Sequence, residues 1–234
     1  MHFVLRHDLE CSSSGGTPGY LVAAKTVLDP IATPDGRDEL LSEAVVMAQL
    51  TGHPNVVALV GVITHGEPLV LVVSYCEHGS LVSHLRKQAI QGQPLALEVK
   101  VRLGMEVAAG MGHLGARRYI HRDLAARNVL IASGLVAKIA DFGLSRGGVK
   151  KKVATNTVTS KDGSDIIEDE EAGAICGDYY RSTKGLFPVR WTSVEAMHEE
   201  VFTAASDVWS FGIVLVELIQ DGSQPYGEWS TQFV

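Results

Sequence analysis

The sequence predicts an α+β fold in two parts, a small β-rich one over residues 1–75 and a mainly helical one over 76–234. Three observations carry that prediction. Two β-rich apolar runs, 56–63 and 69–74, flank the turn-forming His65-Gly66-Glu67-Pro68, which is the pattern of a hairpin. Glu77-His78-Gly79-Ser80 then breaks the β pattern. Beyond it, apolar residues at 99, 103, 107, 111 and 114 recur at helical spacing.

Taken in order, residues 1–19 carry little pattern before Ser12-Ser13-Ser14-Gly15-Gly16-Thr17-Pro18-Gly19, a turn or loop by composition. A strand over 20–27 carries Lys25. A helix is expected over 38–50, with apolar residues at 40, 41, 44, 45, 47 and 48 and Gly52 as its stop. The hairpin follows, then the core-facing helix over 95–114. Short strands at 129–131 and 137–140 flank Ser133-Gly134 and set Asn128 beside Asp141. A second apolar helix covers 207–220. Between 147 and 177 stand Lys150-Lys151-Lys152, then Asp162, Asp165, Glu168, Asp169, Glu170 and Glu171, among few large apolar residues. Such a stretch buries too little surface to order itself, so a disordered insert is expected. A solvated charge run is its plain reading, and a docking segment or substrate mimic the sharper one.

Composition is that of an ordinary globular chain, 46% apolar and 20% charged. The net charge of −7 gives no reason to expect a nucleic-acid partner. Cys11, Cys76 and Cys176 are odd in number, far apart and outside CxxC pairs. Neither a disulfide framework nor a structural zinc is expected from them, and a reducing, cytoplasmic setting fits best. Cys76 reads as a small buried hydrophobe rather than a reactive thiol. The apolar runs at 69–73 and 211–219 are too short for a membrane span, and Arg6, His7 and Asp8 do not suit a signal peptide. A span in a longer parent, including a membrane receptor, stays open.

The most specific run is His121-Arg122-Asp123-Leu124-Ala125-Ala126-Arg127-Asn128, followed 13 residues later by Asp141-Phe142-Gly143. It supplies a carboxylate base, a metal-binding amide and a metal-binding carboxylate at a spacing suited to phosphoryl transfer. The run resembles the catalytic loop of protein tyrosine kinases, and the resemblance can be followed from about residue 21 to about residue 229. It implies a two-lobed protein-kinase-like fold, truncated at both ends, that moves the γ-phosphoryl group of MgATP to tyrosine hydroxyls of protein substrates.

The resemblance also implies roles for single residues. Val22-Ala23-Ala24-Lys25 matches the strand whose lysine holds the α- and β-phosphates, and Glu43, 18 residues on, matches the glutamate that pairs with it. Val73 falls at the gatekeeper, Ser74-Tyr75-Cys76 at the hinge, and Ala23 and Leu130 where the adenine ring is sandwiched. Asp123 is the catalytic base; Asn128 and Asp141 hold Mg²⁺. Ala125-Ala126-Arg127 and Gly185-Leu186-Phe187-Pro188-Val189-Arg190-Trp191 carry the tyrosine preference. Met47, Leu59, His121 and Phe142 match the regulatory spine, and Asp207 matches the brace beneath the catalytic loop. Asp178-Tyr179-Tyr180-Arg181 resembles the autophosphorylation site of insulin-receptor-like kinases, with phosphate on Tyr180 pairing with Arg122.

Departures from the family pattern are also legible. The GxGxxG loop expected well ahead of Lys25 is missing, because Gly15-Gly16-Thr17-Pro18-Gly19 lies too close and Pro18 lacks an N–H. Val194 replaces the proline of Pro-Glu, and Glu195 is expected to be buried without its counter-charge. The rival readings are a tyrosine-kinase-like Ser/Thr or dual-specificity enzyme, and a non-catalytic kinase fragment serving as a binding module.

Overall fold

The structure of the chain, a computed structural model, describes residues 21–26, 34–65, 68–147, 180–181 and 188–227. The first part holds a three-stranded antiparallel sheet of order β1-β3-β2, from β1 (Val22–Thr26), β2 (Leu59–Ile63) and β3 (Val70–Ser74). The central strand is β3, and Leu71, Val72 and Val73 are all buried, which explains an apolar run without alternation. Lys25 pairs across from Leu71 and Ala23 across from Val73.

Helix α1 (Pro34–Leu50) packs beside this sheet and starts four residues before the expected position. Its first turn, Pro-Asp-Gly-Arg, has no apolar residue to announce it, although proline is tolerated at a helix start. The buried stripe is Leu40, Glu43, Ala44, Met47 and Leu50; Val45 and Ala48, expected on that face, are exposed. An acid thus takes a core position that hydropathy assigns to its neighbours.

Residues 56 and 57 correct a second expectation. They do not extend β2 but turn to the larger part, where Val56 bridges Ile139 and the Val57 N–H donates to Ile139 O at 2.9 Å. Ile139 N–H in turn donates to Asn55 O at 2.9 Å.

The larger part contains α2 (Leu81–Ile90), α3 (Leu97–Ala116), α4 (Val194–Glu199) and α5 (Ala204–Ile219). Helix α2 was not separable in the sequence from the helical remainder; Ser80 caps it by accepting from Ser83 N–H. On α3, Leu103, Val107 and Leu114 are fully buried and Val99 and Met111 half-buried, as the stripe predicts. Helix α5 begins at 204 because Thr203 and Ser206 form a reciprocal capping box. Three short antiparallel pairings complete the fold among the described residues. These include the hairpin of β5 (Val129–Ala132) with β6 (Val136–Ile139), and β4 (Tyr119–Ile120) with β7 (Arg146–Gly147). In addition β8 (Tyr180–Arg181) pairs with β9 (Val201–Phe202).

One core cluster runs from Leu50, Leu71 and Val73 through Leu103, Ile139 and Phe142 to Val214 and Leu218. Glu195 is exposed, so the expected buried, unpaired acid is not found. No described helix is long and apolar enough to cross a membrane. Cys11, Cys176, the glycines at 15–19, Tyr179, residues 148–179 and residues 185–187 lie outside the described residues.

Candidate active site

Sheet pairing fixes where Lys25 points. Its Nζ lies 2.7 Å from both carboxylate oxygens of Glu43 and 3.1 Å from Asp141 Oδ1. Lys25 is 4% exposed and Glu43 5%, so the pair is out of solvent. Burial pushes the Glu43 carboxyl above its ordinary range while Lys25 pulls it down, and Asp141 adds to the upward push.

The loop from Ile120 to Asn128 is held from below and from behind. Asp207 Oδ2 accepts from His121 N–H at 2.8 Å and Oδ1 from Arg122 N–H at 3.0 Å. These bonds hold Arg122 at φ 70°, a left-handed conformation uncommon outside glycine. Burial raises the Asp207 pKa, with His121 and Arg122 opposing it. The His121 ring is buried, its Nε2 3.1 Å from Ala140 O and its centre 5.5 Å from the Phe142 ring. Met47 and Phe142 share the core, and half-buried Leu59 packs against it.

Two side chains clamp Asp123. Arg127 Nη2 pairs with Oδ1, and Asn128 Nδ2 donates at 2.7 Å both to Oδ2 and to the Asp123 carbonyl. The Arg127 guanidinium also lies 4.5 Å over the Trp191 ring. Ala125 and Ala126 are fully buried.

Asn128 and Asp141 meet through the hairpin. Val129 pairs with Ile139, and Ala140 N–H donates to Asn128 O at 2.9 Å. Asp141 sits at φ 62°, a strained position of the kind that clusters at functional sites. With Asn128 Nδ2 engaged by Asp123, its Oδ1 is left for a ligand; Asp141, 30% exposed on its side chain, offers the oxygen not facing Lys25. Two oxygen donors fit a hard divalent cation. Among the described residues no three His, Cys, Asp or Glu side chains converge as a metal cage, which suits an ion that keeps water or phosphate in its shell.

The segment 73–76 borders this cleft. Val73 is buried opposite Ala23, and Leu130 bridges Ser80. Ser74 is less available than expected: its N–H donates to Ala58 O at 2.9 Å and its Oγ accepts from Ala58 N–H at 3.1 Å. The Cys76 carbonyl accepts from Gly79 N–H at 3.2 Å, whereas the Cys76 N–H has no backbone partner among the described residues. Its thiol is free and buried, and burial pushes its pKa up to about 11, as a packing residue requires.

Arg122 places its guanidinium 4.4 Å over the Phe202 ring, and its Nη1 is 3.4 Å from Leu144 O. Phe202 pairs in register with Tyr180, of which only the backbone is described.

Sequence reasoning missed Glu217. This acid of α5 is 3% exposed, and its Oε2 accepts from both Ala126 N–H and Trp191 Nε1–H at 2.9 Å. The signal was there, a lone carboxylate inside an apolar helix.

Comparison with known proteins gives one consistent result. The family described as protein tyrosine and serine/threonine kinase matches residues 7–165 and 173–234. Ephrin type-A receptor 7 of Gallus gallus is 41% identical over 96% of this chain and 20% of its own length. Ephrin type-A receptor 5 of Rattus norvegicus is 39% identical over 96% and 20%. Ephrin type-B receptor 5 of Gallus gallus is 40% identical over 94% and 19%. The chain thus spans about a fifth of the length of these relatives.

Proposed function

The chain belongs to the protein tyrosine and serine/threonine kinase family, and from that premise we propose that it transfers the γ-phosphoryl group of MgATP to tyrosine hydroxyls of proteins. The observation that carries the reading is the reach of Lys25, which joins Glu43 of α1 and Asp141 in one cleft. Lys25 holds the α- and β-phosphates of ATP, and Glu43 keeps it in place. Ala23, Val73 and Leu130 enclose the adenine, and Cys76 N–H, more than Ser74, offers it a backbone donor. Asp123 orients the phenol and accepts its proton, kept in position by Arg127 and Asn128. Asn128 and Asp141 hold magnesium, which when bound offsets charge on the phosphates. Ala125-Ala126-Arg127 favours tyrosine: small side chains leave room beside Asp123, and Arg127 is fixed over Trp191.

Incubated with MgATP and with tyrosyl or seryl polymers, the chain should label the tyrosyl polymer, and Asp123→Asn should slow this by about 10²-fold or more. Label on the seryl polymer alone would transfer the reading to the Ser/Thr alternative. No label on either, and no thermal shift with MgATP, would leave a non-catalytic binding module.

Regulation belongs to the same reading. Phosphate on Tyr180 pairs with Arg122 and orders the loop, Tyr179 being the neighbouring acceptor. The register of Tyr180 with Phe202, the residue that Arg122 covers, supports this. Pre-incubation with MgATP should raise the rate of the wild type and leave Tyr180→Phe unchanged; equal activation of both would refute the role. A cytoplasmic location, on the inner face of a membrane where the parent is a receptor, follows from the kinase reading.

A further inference from the structure

We propose that His78 and His84 form a binding site for a zinc-class transition-metal ion beside the 74–76 segment, separate from the position at Asn128 and Asp141. The two rings lie 5.3 Å apart, centre to centre, at 60°. Two imidazoles on one tetrahedral zinc, at Zn–N distances of about 2.0–2.1 Å, have ring centres about 5 Å apart. His84 is 7% exposed, and its Nε2 is buried with no hydrogen-bond partner. Such a nitrogen carries a desolvation penalty that an ion or an ordered water relieves.

The backbone around the pair is fixed. His78 N–H donates to Ile131 O at 3.1 Å, and His84 N–H donates to Ser80 O at 2.9 Å in the first turn of α2. Gly79 turns between them at φ 68°. His78 is exposed, which gives an ion a way in.

The other histidine pair lacks these properties. His53 and His113 lie 4.7 Å apart, but His53 Nδ1 and both His113 ring nitrogens are engaged. His53 Nδ1 accepts from Asn55 N–H at 3.1 Å, His113 Nε2 is 3.0 Å from Leu50 O, and Arg117 donates to His113. With no third His, Cys, Asp or Glu ligand among the described residues, an ion at His78 and His84 completes its shell with solvent. Imidazole ligands select zinc, copper or nickel over magnesium, which separates this site from the oxygen pair.

Metal binding alone, independent of catalysis, tests the site. Zn²⁺ is titrated into the chain against a chromogenic chelator, with histidine ring ¹⁵N resonances followed in parallel. His78→Ala should weaken binding at least tenfold, and His84→Asn likewise. His65→Ala and His198→Ala should leave it unchanged, and excess Mg²⁺ should not compete. Should His84→Asn misfold, exposed His78 still decides the matter. Equal affinity in wild type and His78→Ala would overturn the proposal, as would no binding at all, which leaves a buried water at His84.

Discussion

Lys25 is held by two carboxylates, and the consequences of removing each partner differ. Breaking a buried ion pair by deleting one member typically costs about 3–5 kcal/mol, because the other charge is left uncompensated. Glu43→Ala leaves Lys25 with Asp141 at 3.1 Å, so a loss near the lower end, about 3 kcal/mol, is expected from urea unfolding. Lys25→Met instead leaves Glu43 facing Asp141 with no cation. Glu43, already pushed up by burial, then rises further, and its carboxyl ¹³C resonance should titrate at higher pH than in the wild type. An unshifted titration would mean that Lys25 does not set the Glu43 charge. At this scale the site was legible only as a series. A lysine on a strand is most often a surface residue, and only its order with Glu43, Asp123, Asn128 and Asp141 marked it out. The grip of Asp141 on Lys25, the stacking of Arg127 on Trp191 and the double acceptor at Glu217 were not legible. They arise from approaches across many tens of residues that no local spacing encodes.

Among the elements, α3 couples the two parts through a close approach that only glycine permits. A Cβ on Gly110 would lie 2.6 Å from Asn55 O and 3.0 Å from Ile139 Cδ1. The backbone at 55–57 is itself tied to β6, so the Asn55 carbonyl is not free to yield. Gly110→Ala should therefore cost about 1–3 kcal/mol by overpacking. Gly112, on the same helix, meets nothing within 4 Å. Gly112→Ala should stabilise by about 1 kcal/mol through helix propensity. Opposite shifts in the urea midpoint would bear out the contact, and two equal shifts would count against it. Elements with strong periodicity were legible, as α3 shows. The start of α1 was not, since its first turn is polar, and residues 56 and 57 read as a strand because their β-rich character does not say which partner they take.

For the molecule as a whole, three buried acids set a common direction of pH dependence. Glu43, Asp207 and Glu217 all titrate above their ordinary values, each chiefly through burial. When the folded pKa of an acid is raised, the native state binds more protons than the unfolded chain across that window. Stability then falls as pH rises from the unfolded pKa toward the folded one, and the penalty persists above it. The native fold tolerates this because each carboxylate, once ionised, organises a piece of the cleft. Glu43 holds Lys25, Asp207 holds the backbone at 121 and 122, and Glu217 ties Ala126 to Trp191. Glu217→Gln separates the two effects. A glutamine oxygen can accept both bonds now made to Oε2 while removing the charge, so the substitution is close to isosteric. The urea midpoint of Glu217→Gln relative to wild type should increase between about pH 5 and about pH 8. A difference that stays constant, or shrinks as pH rises, would mean that the hydrogen bonds from Ala126 and Trp191 outweigh the burial of the Glu217 charge.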